Sequence, residues 1–291
     1  MNAPSPSLDE LRREIDRIDD AIHDLVMRRA EAAQAVVRAK GNGPLFRPAR
    51  EAQLVRRLVH RHQGRLPSTV LARIWREMIA ANLWLQEPFS VAICSRPDLP
   101  GLWDLARDHY GVACQLQEMT SSAQVVRAVA EGEALIGVVP APVQDDTDPW
   151  WPSLTATGGD KGQPRVIARL PFVAAGNARG ERPEALSIAR LEPEPTGNDR
   201  SLLAVETTSP ISRARLADAL RQAGLAPVLH VSATIPGLDG ERLSLFEVEG
   251  FVSQQDPVLN RLIEAAPMVI EGGTVARVLA IGAYAMPVAQ T

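Results

Sequence analysis

Two arginines, one lysine and two side-chain amides within the first 87 residues are placed to hold an anion. Leu8, Leu11, Ile15, Ile18, Ile22, Leu25, Ala32, Val36 and Ala39 recur on alternating three- and four-residue steps, and the one seam position missing from that series is Arg29. A guanidinium in an apolar seam calls for an anionic partner, and Arg12, one turn into the same helix, is its natural companion. A competing account lets Arg29 snorkel to water. Further along, Leu71, Trp75, Met78, Ile79, Asn82, Leu85 and Gln86 form one helical stripe, which points Asn82 and Gln86 inward. A buried amide without a partner costs about 1–3 kcal/mol. These two therefore either bond to each other or to backbone, or donate to the anion held by the arginines. Lys40 and Lys161 are the only lysines among 31 basic residues, which singles out Lys40 at the end of the first helix.

The elements that must position these groups can be read from the same periodicities. A helix over residues 8–39 would be about 50 Å long at roughly 1.5 Å per residue, more than a small domain covers with its own chain, so a partner subunit is expected. After a turn at Gly41-Asn42-Gly43-Pro44, Pro48 opens a second helix that runs toward Gly64, and Ser68 caps a third. Residues 88 to about 195 alternate strands (Ser90–Cys94, Ala134–Pro140, Ile167–Val173) with helices (Leu102–Tyr110, Ser122–Glu131). Loops are expected at 141–164 and 174–200, rich in Pro, Gly and charge. Residues 200–291 follow a βαββαβ order: Leu202–Thr207, Ser212–Ala223, Val228–Ala233, Leu243–Gly250, Pro257–Ala265 and Val275–Ala285.

Composition narrows the function classes. At 291 residues two or three domains are expected, with apolar content ample for real cores. No stretch has the roughly twenty apolar residues of a membrane span, and Met1-Asn2-Ala3-Pro4-Ser5-Pro6-Ser7 opens no secretory signal, so a cytoplasmic protein without membrane contact is expected. Cys94 and Cys114, the only cysteines, make neither a disulfide framework nor a zinc site, and His23, His60, His62, His109 and His230 have no metal-ligand spacing. Residues 1–87 carry 15 Lys or Arg against 11 Asp or Glu, and the remainder 16 against 24. The helical part thus favours anions. Its bases are interleaved with acids and lack an aromatic stacking platform, which argues against nucleic acid.

Leu11-Arg12-Arg13-Glu14-Ile15, Asp19, Arg28-Arg29, Ala39-Lys40, Phe46-Arg47-Pro48-Ala49-Arg50-Glu51-Ala52-Gln53 and the Asn82–Gln86 segment resemble the all-helical chorismate mutases, in particular the mutase domain fused to prephenate dehydratase in bacterial bifunctional enzymes. The resemblance covers residues 8–87. It implies an intertwined homodimer of three-helix subunits, in which Arg12 crosses into the partner's site and Arg29 binds the other carboxylate of chorismate within its own subunit. It also implies that Lys40 and Gln86 hydrogen-bond the ether oxygen, that Arg50 and Glu51 serve a carboxylate and the hydroxyl, and that Asn82 stands where serine is frequent. Catalysis would rest on Lys40, Gln86 and Arg29. The reaction it implies, chorismate to prephenate, is intramolecular and needs no cofactor or metal. Gln86, a neutral donor where some relatives carry glutamate, implies activity roughly flat from about pH 6 to 8.

The segment Ala128–Pro140 and the strand Ile167–Val173 resemble prephenate dehydratase, but the motifs of that enzyme are absent. Ser95-Arg96-Pro97-Asp98-Leu99-Pro100 replaces a glycine-rich turn, Ala141-Pro142-Val143 replaces Glu-Asn-Ser, and Asp199-Arg200-Ser201 is all that answers to Thr-Arg-Phe. Leu245–Gly250 and Val278–Tyr284 resemble an ACT domain, with Pro210-Ile211-Ser212-Arg213 and Val231-Ser232-Ala233-Thr234 in place of its effector motifs. The expected organisation is a multidomain chain: an all-α mutase unit at 1–87, a shortened dehydratase-like α/β unit at 88–199, and an α+β ACT-like unit at 200–291. A mutase with two vestigial units leads. An enzyme performing both steps and a noncatalytic regulatory subunit are the rivals.

Overall fold

A computed structural model of the chain describes residues 6–40, 46–144, 146, 149–155, 162–174, 176–234, 241–269 and 274–288. Helix α1 spans Leu8–Lys40. Its start is a capping box: the Ser7 hydroxyl accepts from the Glu10 amide (3.3 Å) and the Glu10 carboxylate accepts from the Ser7 amide (2.8 Å). The expected turn at 41–44 lies outside the described residues. Pro48 stands at the start of α2 (Pro48–Arg61), which ends three residues short of Gly64.

Helix α3 covers Ser68–Gln86, and here two expectations fail. Pro67, not Ser68, holds the N-cap position, and no side chain caps the helix. The buried line is Ala72, Arg76, Ala80 and Leu83, so the stripe is rotated and Leu85 stands 59% exposed. The reason is a second neighbour. Besides α2, α3 packs on α4 (Gly101–Tyr110), and the small side chains of Ala72 and Ala80 lie on its buried face, Ala80 where α4 ends at Gly111.

Residues 90–288 build one nine-stranded sheet. Strands β1 (Ser90–Cys94), β2 (Gln115–Met119) and β3 (Ile136–Pro140) are parallel, with α4 and α5 (Ser122–Glu131) as crossovers. Strand β4 (Arg165–Leu170) and β5 (Ala185–Ala189) follow as an antiparallel pair beside β3. The C-terminal unit has the expected βαββαβ order: β6 (Asp199–Thr207), α6 (Arg213–Gln222), β7 (Pro227–Thr234), β8 (Glu241–Glu249), α7 (Pro257–Val269) and β9 (Val275–Ala285). The order across the sheet is β2-β1-β3-β5-β4-β9-β6-β8-β7.

The expectation of an unstructured 174–200 is therefore wrong. Ala185–Ala189 is a fully buried strand in the middle of the sheet, and β6 begins at Asp199. The strand expected to reach Val173 ends at Leu170. In the 141–164 loop, Trp150 and Trp151 are buried, and the Trp150 indole N–H donates to the Pro140 carbonyl at 2.9 Å. These rings fill the space just beyond β3.

The two halves of the sheet meet where β4 runs parallel to β9 through a single bridge, Val166 to Gly282. The guanidinium of Arg165 donates to the Ala280 carbonyl across this join at 2.8 Å. The main core runs through both halves, from Ile93 and Val138 to Val166, Leu202, Leu245 and Leu279. A second core lies under α6 and α7, around Leu203, Leu220, Phe246 and Leu262. The helical unit docks on the sheet through Ala52, Val55, Ala72, Phe172 and Ala285. Arg56 of α2 fixes this contact by donating to Thr196 Oγ1 (3.2 Å) and to the carbonyls of Asn198 (3.2 Å) and Met286 (3.0 Å). No helix among the described residues is long and apolar enough to cross a membrane.

Candidate active site in the helical unit

Helices α1, α2 and α3 enclose a cavity of about 260 Å³. Arg29 enters from α1, Arg47, Arg50 and Glu51 from the first turn of α2, and Asn82 and Gln86 from α3, over walls that include Val37, Leu54, Ile79 and Leu83. Helical spacing explains the convergence. Asn82 and Gln86 are four apart, and Arg29 shares a face with Ala33 and Val37.

Arg29 is half-buried, and its Nη1 is shielded from solvent without a hydrogen-bond partner among the described residues. Burial alone lowers its proton affinity. A shielded cationic donor with nothing to bond is costly, and the natural remedy is an anion. The other two charged groups of the cavity, the cation Arg47 and the carboxylate Glu51, already have partners. Arg47 bonds both carboxylate oxygens of Glu194 (2.8 and 3.1 Å), and Glu51 is paired with the buried Arg76 at 3.2 Å. Arg29 and Arg50 are left as two positive charges without counter-ions among the described residues, the charge a dianion needs.

Asn82 donates from Nδ2 to the Met78 carbonyl at 2.6 Å, while its Oδ1 is buried without a partner. The backbone account of this amide is the one realised for that donor, and what Asn82 adds to the cavity is an acceptor. Lys40 is the last residue of α1; its side chain lies outside the described residues. Arg12 is not in the cavity of its own chain. It sits in the exposed first turns of α1, 3.6 Å from Asp9 and 67% exposed, about 25 Å along the helix from Arg29 by helical rise.

Burial pushes the Glu51 carboxyl up to about 7 from its ordinary 4.5, with Arg76 pulling the other way. The folded protein thus holds this proton more tightly than the unfolded chain, so the Glu51 contribution to stability is complete below about pH 4.5 and lost as pH rises toward about 7. Thermal melts between pH 5 and 8 should therefore fall less steeply for Glu51→Gln than for the wild type. Equal slopes would mean that Glu51 is ionised throughout.

Residues 11–87 match the family model of chorismate mutase type II. This segment holds α2, α3, α1 from Leu11 onward and every polar group of the cavity. The bifunctional chorismate mutase/prephenate dehydratase of Pseudomonas aeruginosa is 33% identical over 153 residues, covering 50% of this chain and 41% of that protein. The protein of the same description from Neisseria gonorrhoeae is 30% identical over 148 residues, covering 50% and 40%. The chain thus spans about two fifths of the length of the curated relatives it matches, and the likeness continues past residue 87 into the sheet. A solved prephenate dehydratase from Streptococcus mutans superposes with a TM-score of 0.44 at 14% identity, over 68% of this chain and 98% of that one.

Two contributors to the mutase-like cavity escaped the sequence reading. Arg47 was visible only as part of a motif, and its place on the wall follows from lying three residues before Arg50. Arg76 was not singled out at all. The signal that marks it is the small-residue line Ala72-Arg76-Ala80, which puts one guanidinium on the most buried face of α3.

Proposed function

We propose that the cavity binds chorismate and that the protein converts it to prephenate. The observation that carries this reading is the pair of uncompensated cations, Arg29 and Arg50, facing the amides Asn82 and Gln86 in a cavity of the size of a small molecule. The rearrangement breaks one C–O bond and forms one C–C bond inside a single molecule, so it asks for no nucleophile, cofactor or metal. It asks that a flexible dianion be held in its reactive conformer and that negative charge growing on the ether oxygen be met by donors. Arg29 and Arg50 clamp carboxylates, Glu51 meets the hydroxyl, and Gln86 with Lys40 donates to the ether oxygen.

The site is completed by a second copy of the chain. Leu8, Leu11, Ile15, Ile18, Ile22 and Leu25 stand 47–62% exposed along α1, an apolar seam that no part of the same chain covers among the described residues. A homodimer pairing these seams buries them and delivers Arg12 to the partner's cavity. The C-terminal unit has the strand order of an ACT domain without its effector motifs, and serves as a structural unit in this reading. Trp150 and Trp151, packed beyond β3 where the dehydratase motif is missing, favour a mutase that releases prephenate and forms no keto acid.

The test is loss of chorismate absorbance with the purified full-length chain, with prephenate and phenylpyruvate quantified at the end. Prephenate accumulation is expected, and a folded dimer without turnover would refute the reading. Subunit mixing tests the shared site. Arg12→Ala and Arg29→Ala homodimers should each be nearly inactive, yet after exchange one site in each mixed dimer is intact, returning about a quarter of wild-type turnover. If no activity returns, Arg12 and Arg29 do not meet across the dimer.

A further inference from the structure

A second cavity, also of about 260 Å³, lies between the helical unit and the sheet. Its floor is apolar and aromatic, with Phe46, Ile167, Phe172 and Tyr284 among the walls, and Arg76 enters it from α3. Arg76 is 6% exposed and lies with its guanidinium 5.1 Å from the ring centre of Phe172. Among the described residues it makes one hydrogen bond, from Nη1 to Glu51 at 3.2 Å. A guanidinium has five N–H donors. The remaining donors of Arg76 are held by nothing, and the open space beside them is this cavity. The other charged groups on its wall are already engaged: Arg47 with Glu194, Glu192 with Arg165 at 3.1 Å, and Arg169 with Glu184 at 2.7 Å. His109, also on the wall, is kept neutral by burial and by Arg76. A single under-bonded cation over an apolar floor selects one negative charge on an apolar body.

We propose that this second cavity binds a small monocarboxylate with an apolar or aromatic body through Arg76, in competition with Glu51. Its volume lies just under the roughly 300–1,000 Å³ of drug-sized sites, so the ligand is small. A carboxylate that draws Arg76 toward itself loosens the partner of Glu51, which lines the chorismate cavity. Occupancy of one cavity is thereby linked to the other, and the linkage is reciprocal. This last step rests on the mutase reading; binding itself does not.

Benzoate is the probe, with benzyl alcohol as its neutral counterpart, titrated calorimetrically into the purified 291-residue chain. Saturable binding of benzoate and none of benzyl alcohol is expected. Ala168→Leu, on the β4 wall and remote from Glu51, fills the cavity and should weaken benzoate at least tenfold while leaving turnover of chorismate unchanged in the absence of benzoate. Arg76→Gln should weaken it to a similar degree. Glu51→Gln weakens the internal competitor and should tighten benzoate severalfold, a direction that a merely structural Arg76 would not produce. Benzoate should also raise the KM for chorismate in the wild type and not in Ala168→Leu. Absence of binding, or binding indifferent to Ala168→Leu, overturns the proposal; the second result would place benzoate in the chorismate cavity. A protein that binds benzoate as described but turns over no chorismate sinks the mutase reading and leaves the carboxylate site standing.

Discussion

Arg29→Ala is expected to slow chorismate turnover by about a hundred- to a thousandfold, the usual cost of removing one preorganised donor from a developing charge. Thermal stability should move the other way or not at all. In the free protein the Nη1 of Arg29 is shielded and bonded to nothing described, so its removal relieves a cost that folding otherwise bears. A loss of activity joined to an unchanged or raised Tm distinguishes a residue kept for its ligand from one kept for its packing. Steady-state kinetics beside a thermal melt decide the matter. Turnover within a few-fold of wild type would show that the anion sits elsewhere, and a collapse of Tm would show that Arg29 is a structural residue.

Gly282→Ala should be among the most destabilising single substitutions in the chain. A Cβ at this position would lie 2.3 Å from the Val166 carbonyl oxygen, 2.4 Å from its nitrogen and 2.6 Å from its Cα. All three are backbone atoms, so nothing can swing aside, and the only relief is to part β4 from β9 at their single bridge. Overpacking typically costs about 1–3 kcal/mol, and a site where only backbone could yield belongs at the top of that range or just above it. The corresponding fall in Tm is about 10 °C for a domain of this size. A melt within a degree or two of wild type would mean that the join between the two halves of the sheet yields easily.

Most of the fold was legible because its periodicities are strong. The seam of α1, Pro48 at the head of α2 and the apolar run of β9 each specify their element locally. What escaped was decided by neighbours. β2 reads Gln-Leu-Gln-Glu-Met, too polar to announce a strand, and forms because β1 offers it an edge in parallel register. β5 reads Ala-Leu-Ser-Ile-Ala, too short and too small in side chain to stand out, and is a strand because β3 and β4 flank it. The site followed the same division. Arg29 broke an apolar pattern and so was visible; Gln86 and Asn82 lay on a periodic stripe. Arg76 was hidden because its burial depends on α4 and the sheet, which no local pattern in α3 foretells. Arg12 and Arg29 appear in the sequence as a pair, and one chain keeps them on opposite stretches of α1.

The continuous sheet ties the C-terminal unit to a cavity whose polar groups all lie elsewhere. Arg56 of α2 is anchored on the carbonyls of Asn198 and Met286, and Ala283, Tyr284 and Ala285 wall the cavity behind α2 and α3. A premature stop codon after Thr196 would leave every residue of the helical cavity translated while stripping the surface on which those helices rest and exposing the flank of β4. Shortening the chain from its C-terminal side would therefore uncover the docking face of the helices before any polar group of their cavity is touched.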